Sequence, residues 1–323
     1  LQLRIPKLRQ GTYFPPFLEP RKTSEKTLVA VIQEAWINGV STRKVDALVQ
    51  SMGMTGISRS QVSAICRGID ERVQAFLQRP LEGEWPYLWL DATYVKVRKD
   101  GRVVSVAVII ACAVSLDGRR EIIGMGIGES EAKPFWLSFL LGLKERGLQG
   151  VKLVISDSHS GLKAAIQQVF CASWQRCRVH FMRNVLSKVP PIHREWASAA
   201  LKAVFAMESR ESALDKAEQV AAEMRSRRLR AAANCLREGV GETTTYLLDE
   251  FPDGHRRRIR TNNMIERLNR EIRRRTRVVG GFPDGNSALM LVCARIRYVT
   301  ANEWSTRRYL DMSRFDDNLV EAN

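Results

Sequence analysis

Between residues 85 and 180 the apolar residues recur with the spacing of β-strands, so the chain must fold around a sheet. Residues 87–98 predict a first strand, and a Lys-Asp-Gly-Arg turn predicts a hairpin to a second strand at 103–115. The second run is almost continuously apolar, which is typical of a strand buried on both faces. Another Asp-Gly turn leads to a third strand at 121–128.

After the third strand the pattern alternates between helix and strand. A helix with Pro134 in its first turn precedes a fourth strand at 151–156, a helix from about Ser160 and a short fifth strand at 175–179. Three hairpin-linked strands followed by helix, strand, helix and strand is the order of the ribonuclease-H-like α/β fold. We therefore predict a mixed five-stranded sheet with flanking helices.

Residues 24–80 predict three short helices, which Ser24, Ser41 and Ser58 can cap. A glycine-rich break precedes the third helix, and the arrangement resembles a helix-turn-helix, with a plain three-helix cap as the alternative. The N-terminus of a recognition helix would present the residues that reach bases and phosphates: Arg59, Ser60 and Gln61.

The chain is strongly basic, with 51 lysines and arginines against 35 acids and a formal charge of +16. This surplus favours a polyanionic partner, either nucleic acid or an anionic membrane face. Half of it lies between residues 256 and 277, where ten arginines meet two acids. Because the planar guanidinium suits bidentate phosphate contacts, phosphate binding is favoured over a merely solvated helix face.

Membrane and secreted classes are disfavoured. The longest apolar run, residues 103–116, is shorter than the roughly 20 residues that a bilayer span needs. Six scattered cysteines do not form a disulfide framework, which favours a reducing cytoplasm. The chain opens at Leu1 rather than Met, so we expect natural N-terminal residues to precede it.

Three carboxylates are the candidate catalytic groups. Asp91 interrupts the apolar and aromatic run 88–95, where an unpaired carboxylate would cost several kcal/mol. Asp157 follows the fourth strand, at the edge of an open α/β sheet where ligands bind, although a helix N-cap is an alternative role. Glu266 lies on a predicted helix at 261–277.

On that helix, Ile265, Leu268 and Ile272 form one apolar stripe, and Glu266 lies on the opposite side. A buried ion pair is the alternative role for Glu266, but two acids cannot neutralise ten arginines. The side chains that we predict to contact DNA phosphates on this helix are Asn263, Arg267, Arg270, Arg273, Arg274 and Arg277.

Two aspartates and a glutamate supply the hard oxygen ligands that Mg²⁺ prefers. Two ions about 3.5–4 Å apart can activate an attacking oxygen and stabilise a leaving one in phosphodiester chemistry. We therefore predict that Asp91, Asp157 and Glu266 bind two Mg²⁺ ions per active site, and we expect Mn²⁺ to substitute.

These motifs resemble those of the Mutator-type bacterial insertion-sequence transposases. The matching segments are 90–94, 156–162, 177–180 and 261–280, with 6–16 and 39–43 upstream. The resemblance implies a DDE transposase with Asp91, Asp157 and Glu266 as its metal-binding triad. It also implies recognition of terminal inverted repeats, cleavage that frees 3′ hydroxyls, their transfer to target DNA, and a homodimer in the bacterial cytoplasm at the nucleoid.

Cys177 and His180 fit the Cys-x-x-His pattern of that family, beside its active site. A hydrogen bond from His180 to DNA or to a metal-bound water is the favoured role, and a buried structural histidine is the alternative. A zinc site completed by Cys171 or His193 is disfavoured because no second ligand pair follows.

The predicted organisation has five segments. They are an irregular basic arm at 1–23, a helical DNA-binding domain at 24–82, the first part of the catalytic core at 83–181, an all-helical insertion at 182–255 and the C-terminal core helices at 256–323.

Three other functions stay open. A nuclease or resolvase on the same fold would cut DNA without joining it, and a helix-turn-helix regulator would bind DNA equally well in EDTA. An RNase acting on RNA–DNA hybrids is disfavoured by the helix-turn-helix.

Overall fold

The structure is a computed structural model that describes residues 23–38, 40, 42–51, 57–129, 132–301 and 303–315. Residues 1–22 of the predicted basic arm and the predicted cap Ser41 lie outside these ranges. The chain divides into two compact units, Leu1–Glu71 and Arg72–Asn323. Within the described ranges, no helix is long and apolar enough to cross a membrane.

The N-terminal unit contains three helices: α1 (Thr23–Asn38), α2 (Thr42–Ser51) and the start of α3 (Arg59–Gln78). Their buried side chains form a small core: Ile32, Val45, Val49, Val62, Cys66 and Ile69. Ser58 caps α3 as predicted, because its hydroxyl accepts from the Gln61 N–H while the Gln61 carboxamide accepts from the Ser58 N–H. The predicted cap of α1 was wrong, because the helix begins at Thr23 and Ser24 lies inside it.

The larger unit is built on a five-stranded mixed sheet, as predicted. Its strands are β1 (Tyr87–Lys99), β2 (Arg102–Val114), β3 (Arg120–Gly128), β4 (Leu153–Ser156) and β5 (Ser173–Arg176). The order across the sheet is β3-β2-β1-β4-β5, with the hairpin-linked pairs antiparallel and the pairs β1–β4 and β4–β5 parallel.

The fifth strand ends earlier than predicted. It stops at Arg176, and α6 (Arg178–Ser187) begins where the sequence pattern suggested more strand. The Cys177 carbonyl accepts from the Phe181 N–H, which starts the helix. His180 therefore lies on a helix, one turn beyond the sheet.

Helices cover both faces of the sheet. Side chains alternate along β1, so Leu88 and Leu90 face α4 (Lys133–Glu145) and α5 (Ser160–Phe170), and Tyr87 and Trp89 face the other side. The second face packs against α11 (Asn263–Val279) and α12 (Gly285–Thr300). Asp91 shares this second face, which sets it beneath α11.

Three glycines of β3 allow α4 to approach the sheet closely. A Cβ on Gly128 would lie 2.6 Å from the Phe135 ring, and Cβ atoms on Gly124 and Gly126 would lie 2.6 and 3.0 Å from Leu143 and Phe139. Phe135, Phe139 and Leu143 of α4 thus occupy the space that larger side chains at these three positions of β3 would need.

Between β5 and α11 the chain is helical throughout, as predicted. After α6 come α7 (Arg194–Val204), α8 (Arg210–Ser226), α9 (Arg230–Thr243) and the short α10 (Asp253–Ile259), and α13 (Glu303–Thr306) follows α12. Within the predicted all-helical insertion, α8 and α9 are separate helices because Arg228 between them adopts a left-handed conformation, with φ of 64°.

A buried hydrogen-bond chain joins three distant segments of this unit. The Tyr87 hydroxyl lies 2.8 Å from His255 Nδ1, and His255 Nε2 lies 2.7 Å from the Asp311 carbonyl oxygen. Because a carbonyl only accepts, Nε2 carries the proton and Nδ1 accepts from Tyr87. The neutral ring fits this role, since burial lowers the pKa of His255.

We expect Gly128→Ala to destabilise the protein by about 1–3 kcal/mol, because the added methyl group displaces the Phe135 ring. Urea unfolding monitored by tryptophan fluorescence measures the change. Gly142→Ala on α4 is the matched control, since its Cβ would meet nothing within 4 Å. Phe135→Leu should recover part of the loss in the double variant. Equal stabilities for the two alanine variants would contradict the close approach of α4.

Candidate active site

The parallel strands β1 and β4 bring the first two acids to the same edge of the sheet. Trp89 pairs with Ile155 in this register, so two residues further along each strand Asp91 lies level with Asp157. β4 ends at Ser156, which places Asp157 in the loop at its carboxyl end. The strand pairing therefore sets the relative height of the two carboxylates.

Asp91 is held by two hydrogen bonds. The Asn269 side-chain amide donates to Oδ2 at 2.7 Å, and the Ala92 N–H donates to Oδ1 at 3.0 Å. The pKa of the Asp91 carboxyl is raised to about 7, chiefly by burial and less by the acids Glu266 and Asp157, while His180 and the Ala92 N–H oppose the rise. The ionised form of Asp91 therefore depends on the positive charge and the N–H donors beside it.

Asp157 is half exposed and does not cap the helix that follows. Its Oδ1 accepts from the Ser158 N–H at 2.7 Å, whereas α5 begins at Ser160 with His159 in the N-cap position and no side-chain cap. The N-cap alternative is therefore wrong. Its second oxygen, Oδ2, faces His180.

Glu266 reaches the site from the first turn of α11. Ile265, Leu268 and Ile272 are fully buried beneath it, as the apolar stripe predicted. The loop before the helix is fixed to β1, because Trp89 Nε1 donates to the Thr261 carbonyl at 3.2 Å and Asn262 Nδ2 donates to the Leu90 carbonyl at 3.1 Å. These bonds fix the point at which α11 starts and hence the position of Glu266.

His180 lies between the second and third acids. Its Nε2 is 3.3 Å from Glu266 Oε1, and its Nδ1 is 3.8 Å from Asp157 Oδ2. A hydrogen bond with Cys177, together with the carboxylates of Asp157 and Asp91, raises the pKa of His180 to about 9, against the opposing effect of burial. The four predicted groups Asp91, Asp157, His180 and Glu266 therefore form one electrostatic cluster.

Cys177 supports this cluster from beneath. Its side chain is buried, and its sulfur accepts from the Asn262 N–H at 3.3 Å. Cys177 thus links the start of α6 to the loop before α11. In the described part of the chain, no group of three histidines, cysteines or acids stands in metal-binding geometry, and the alternative zinc ligand Cys171 is exposed.

The donor set nonetheless suits a hard divalent cation. Three carboxylates converge on one histidine, and the ionisable group that offsets the charge of Asp91 is that histidine, not a lysine or arginine. The two buried oxygens Asn262 Oδ1 and Asn269 Oδ1 have no hydrogen-bond partner. Oxygen ligands of this kind are those that Mg²⁺ prefers.

The arginine-rich helix has two kinds of arginine. Most of the predicted phosphate contacts are exposed beside Glu266: Asn263, Arg267, Arg270, Arg273, Arg274 and Arg277. Arg274 is exposed but also pairs with Glu271 at 3.0 Å. Arg275 is buried, and burial together with Arg295 lowers its pKa to about 10. Glu271, an acid of the arginine-rich helix, pairs with Arg295 of α12 at 2.7 Å. Some charged residues of this helix therefore contribute to packing within the protein.

The predicted helix-turn-helix residues lie in the N-terminal unit. Ser60 and Gln61 are exposed in the first turn of α3, and the Ser58 and Ser60 hydroxyls are 2.9 Å apart. The Gln61 carboxamide oxygen is occupied in the cap of that helix. Arg59 begins α3, and its side chain lies outside the described set.

Sequence reasoning missed Asn269, which is 2 % exposed and holds Asp91. A signal for it existed. Asn269 lies three residues after Glu266 and directly follows Leu268, so it stands at the border between the apolar stripe and the polar face. A polar side chain at such a border usually has a buried partner.

We expect Asn269→Asp to destabilise the protein by about 3 kcal/mol at pH 8, because it sets an uncompensated carboxylate against Asp91. In the folded state the pair raises the pKa of the new acid above its unfolded value of about 3.9, so stability is retained at low pH and lost as pH rises. Denaturant unfolding at pH 5 and pH 8 measures the difference.

Asn263→Asp is the matched control on the same helix. Its side chain is exposed at the N-terminus of α11, where a negative charge is tolerated, so we expect a change below about 0.5 kcal/mol at either pH. A loss for Asn269→Asp that does not grow with pH would contradict the contact with Asp91.

Comparison with known proteins gives consistent matches over nearly the whole chain. Residues 1–306 match the family described as transposase, Mutator family. The transposase for insertion sequence element IS1081 of Mycobacterium tuberculosis is 41 % identical over 97 % of this chain and 75 % of its own length. The ISRM5 transposase of Rhizobium meliloti is 40 % identical over 97 % of this chain and 78 % of its own length. The transposase of IS256 in transposon Tn4001 of Staphylococcus aureus is 35 % identical over 97 % of this chain and 81 % of its own length.

Proposed function

The chain belongs to the Mutator family of transposases, and we propose that it cuts and joins DNA through an Asp-Asp-Glu triad of Asp91, Asp157 and Glu266. Its substrates would be the terminal inverted repeats of an insertion sequence and a target DNA. The core would be of the ribonuclease-H-like class, with the helices between β5 and α11 as its insertion.

One observation carries this proposal. Three acids that are far apart in the sequence converge around His180, and the helix that brings the third acid also presents a row of exposed arginines. A carboxylate cluster beside a phosphate-binding face fits phosphodiester chemistry, whereas a DNA-binding regulator has no use for the acids.

The triad would hold two Mg²⁺ ions, which would supply activation of the attacking oxygen and stabilisation of the leaving one. Asn269 would orient the Asp91 carboxylate, and His180 would contact DNA or water between Asp157 and Glu266. In the first reaction, water attacks a phosphodiester at the end of the element and frees a 3′ hydroxyl. In the second, that hydroxyl attacks a target phosphodiester and releases a target 3′ hydroxyl.

DNA would be held by two surfaces. The exposed arginines of α11 would bind phosphates near the scissile bond, and the first turn of α3, with Arg59, Ser60 and Gln61, would read the inverted repeat as a helix-turn-helix. Because both ends of an element must be joined in one complex, we propose that the active form is a homodimer. Its place would be the bacterial cytoplasm, at the nucleoid.

We expect Asp91→Asn, Asp157→Asn and Glu266→Gln each to abolish strand transfer while leaving DNA affinity within about twofold, because each removes a ligand charge and keeps the shape. The assay joins labelled duplexes carrying the element's end to a plasmid in Mg²⁺, in Mn²⁺ and in EDTA. Asp253→Asn, an exposed acid paired with Arg256, is the matched control and should retain activity.

Three results would separate the alternatives. Joined product that needs metal and all three acids supports the transposase. Cleavage without joining by the full-length protein would indicate a nuclease or resolvase. Tight binding that is indifferent to EDTA, without any chemistry, would indicate a regulator.

The double variant Arg270→Ala, Arg273→Ala should weaken binding to every duplex sequence. Each lost phosphate contact removes about 0.9 from the slope of log K against log salt, so the slope should fall by about 1.8. Fluorescence anisotropy across a salt series measures it. The pair Arg225→Ala, Arg230→Ala, exposed on α8 and α9, controls for net charge. An equal effect of the two pairs would contradict a specific role for α11.

A further inference from the structure

The turn between α6 and α7 exposes an apolar side chain without apolar cover. Ile192 is 86 % exposed, more than any other large apolar side chain in the described part of the chain; Val103, the next, is 59 % exposed. Exposing so much of an isoleucine forgoes the stabilisation that burial of its apolar surface would give. A partner that covers it would recover that stabilisation.

The turn itself is rigid. Pro190 and Pro191 restrict the backbone before Ile192, and the His193 N–H donates to the Pro190 carbonyl at 3.0 Å. The Arg194 Nε donates to the carbonyl of the buried Val189 at 3.2 Å. The two prolines and these hydrogen bonds therefore hold the Ile192 side chain outward in a fixed position. We call this side chain the wedge.

A groove of about 580 Å³ lies along α6, and Arg194, two residues after Ile192, is part of its lining. Its apolar lining consists of Val179, Met182 and Leu186, and its polar lining consists of Arg183, Ser187 and Arg194. No acid contributes to it. From Arg176 to Arg194 the chain contains five arginines and lysines and no aspartate or glutamate. Three of these cations are exposed near Ile192, namely Arg183, Lys188 and Arg194, and the next residue, Glu195, is an exposed acid. This surface therefore combines an apolar floor with a surplus of positive charge.

The groove begins next to the candidate active site. Val179 directly precedes His180, which lies between Asp157 and Glu266, and Arg183 follows one turn later on the same side of α6. At 1.5 Å per residue, α6 extends about 10 Å from His180 to Ser187, which spans about three base steps of B-DNA.

We propose that the α6–α7 surface deforms DNA beside the cleavage site. Ile192 inserts between two base pairs about three to five steps from the scissile phosphate, and the groove receives the unstacked base. Arg183, Lys188 and Arg194 bind the phosphates on either side. This inference rests on the proposed function, since it takes the triad to be the point of cleavage.

Charge decides in favour of DNA as the occupant. Apolar side chains that kink DNA act as wedges between base steps, flanked by basic residues that hold the phosphates. A second copy of this chain packed on the same turn would instead set the exposed Arg183, Lys188 and Arg194 against their own counterparts.

The experiment compares two DNA duplexes of the same generic sequence, one intact and one with a two-nucleotide bulge, by fluorescence anisotropy in EDTA. A protein that must unstack base pairs binds the bulged duplex more tightly, because the base pairs at the bulge are already unstacked. We expect wild type to prefer the bulge by about tenfold or more, and Ile192→Ala to bind both duplexes equally, with affinity for intact DNA reduced less than threefold.

Leu141→Ala is the matched control, an apolar side chain 41 % exposed on α4, and it should keep the wild-type preference. 2-Aminopurine placed at successive positions of an element-end duplex should brighten three to five steps from the cut with wild type and stay quenched with Ile192→Ala. Thermal unfolding should show no change, because Ile192 is outside the core.

The outcomes separate this inference from the proposed function. If wild type binds both duplexes equally, or if Ile192→Ala keeps the preference, the wedge is overturned while the triad stands. If wild type binds neither duplex in a salt-dependent manner, the proposed function itself fails. If Ile192→Ala changes the sedimentation of the free protein from dimer to monomer, the turn is a protein interface and the inference is wrong.

Discussion

Asp91 brings a carboxylate into a strand whose preceding residues are fully buried, and the site depends on how that charge is accommodated. Burial raises its pKa to about 7, and the Asn269 amide, at 2.7 Å, stabilises the ionised form. This bond joins β1 to α11, the helix that also carries Glu266 and the exposed arginines. One hydrogen bond therefore relates the position of the first acid to that of the third and to the exposed arginines of α11.

The sheet was predictable because strand signals are local. Alternating side chains and Asp-Gly turns give the strands, and the parallel register then sets Asp91 level with Asp157. The end of β5 was not predictable, because Gln175 to Val179 mixes polar and apolar residues over too few positions to distinguish the end of a strand from the start of α6. Asn269 was missed for a related reason: its importance comes from a contact 178 residues away, which no local period encodes. The roles of the acids stay predictions until they are tested.

The arginine run shows why composition overstates a binding face. Its ten arginines share one stretch of chain, yet Arg275 is buried and Arg256 pairs with Asp253 at 2.8 Å. Glu271 pairs with both Arg274 and Arg295, so an acid that seemed to oppose DNA binding instead stabilises the packing of α11 on α12. Helical periodicity distinguishes the exposed arginines from the buried or paired ones only after the packed side of the helix is known. The exposed set is smaller than the count suggests, but it is aligned with Glu266.

The order of the elements along the chain has a consequence for biosynthesis. Glu266 follows Asp91 by 175 residues, and α11 and α12 cover the sheet face that carries Tyr87 and Trp89. At roughly 5–20 residues per second, a ribosome needs on the order of ten seconds to proceed from His180 to the end of α12. During that interval the nascent chain has its strands and two acids, but that face of the sheet is open. The third acid and the cover arrive together, so a chain interrupted before α11 would lack Glu266 and would expose this face of the sheet to chaperones.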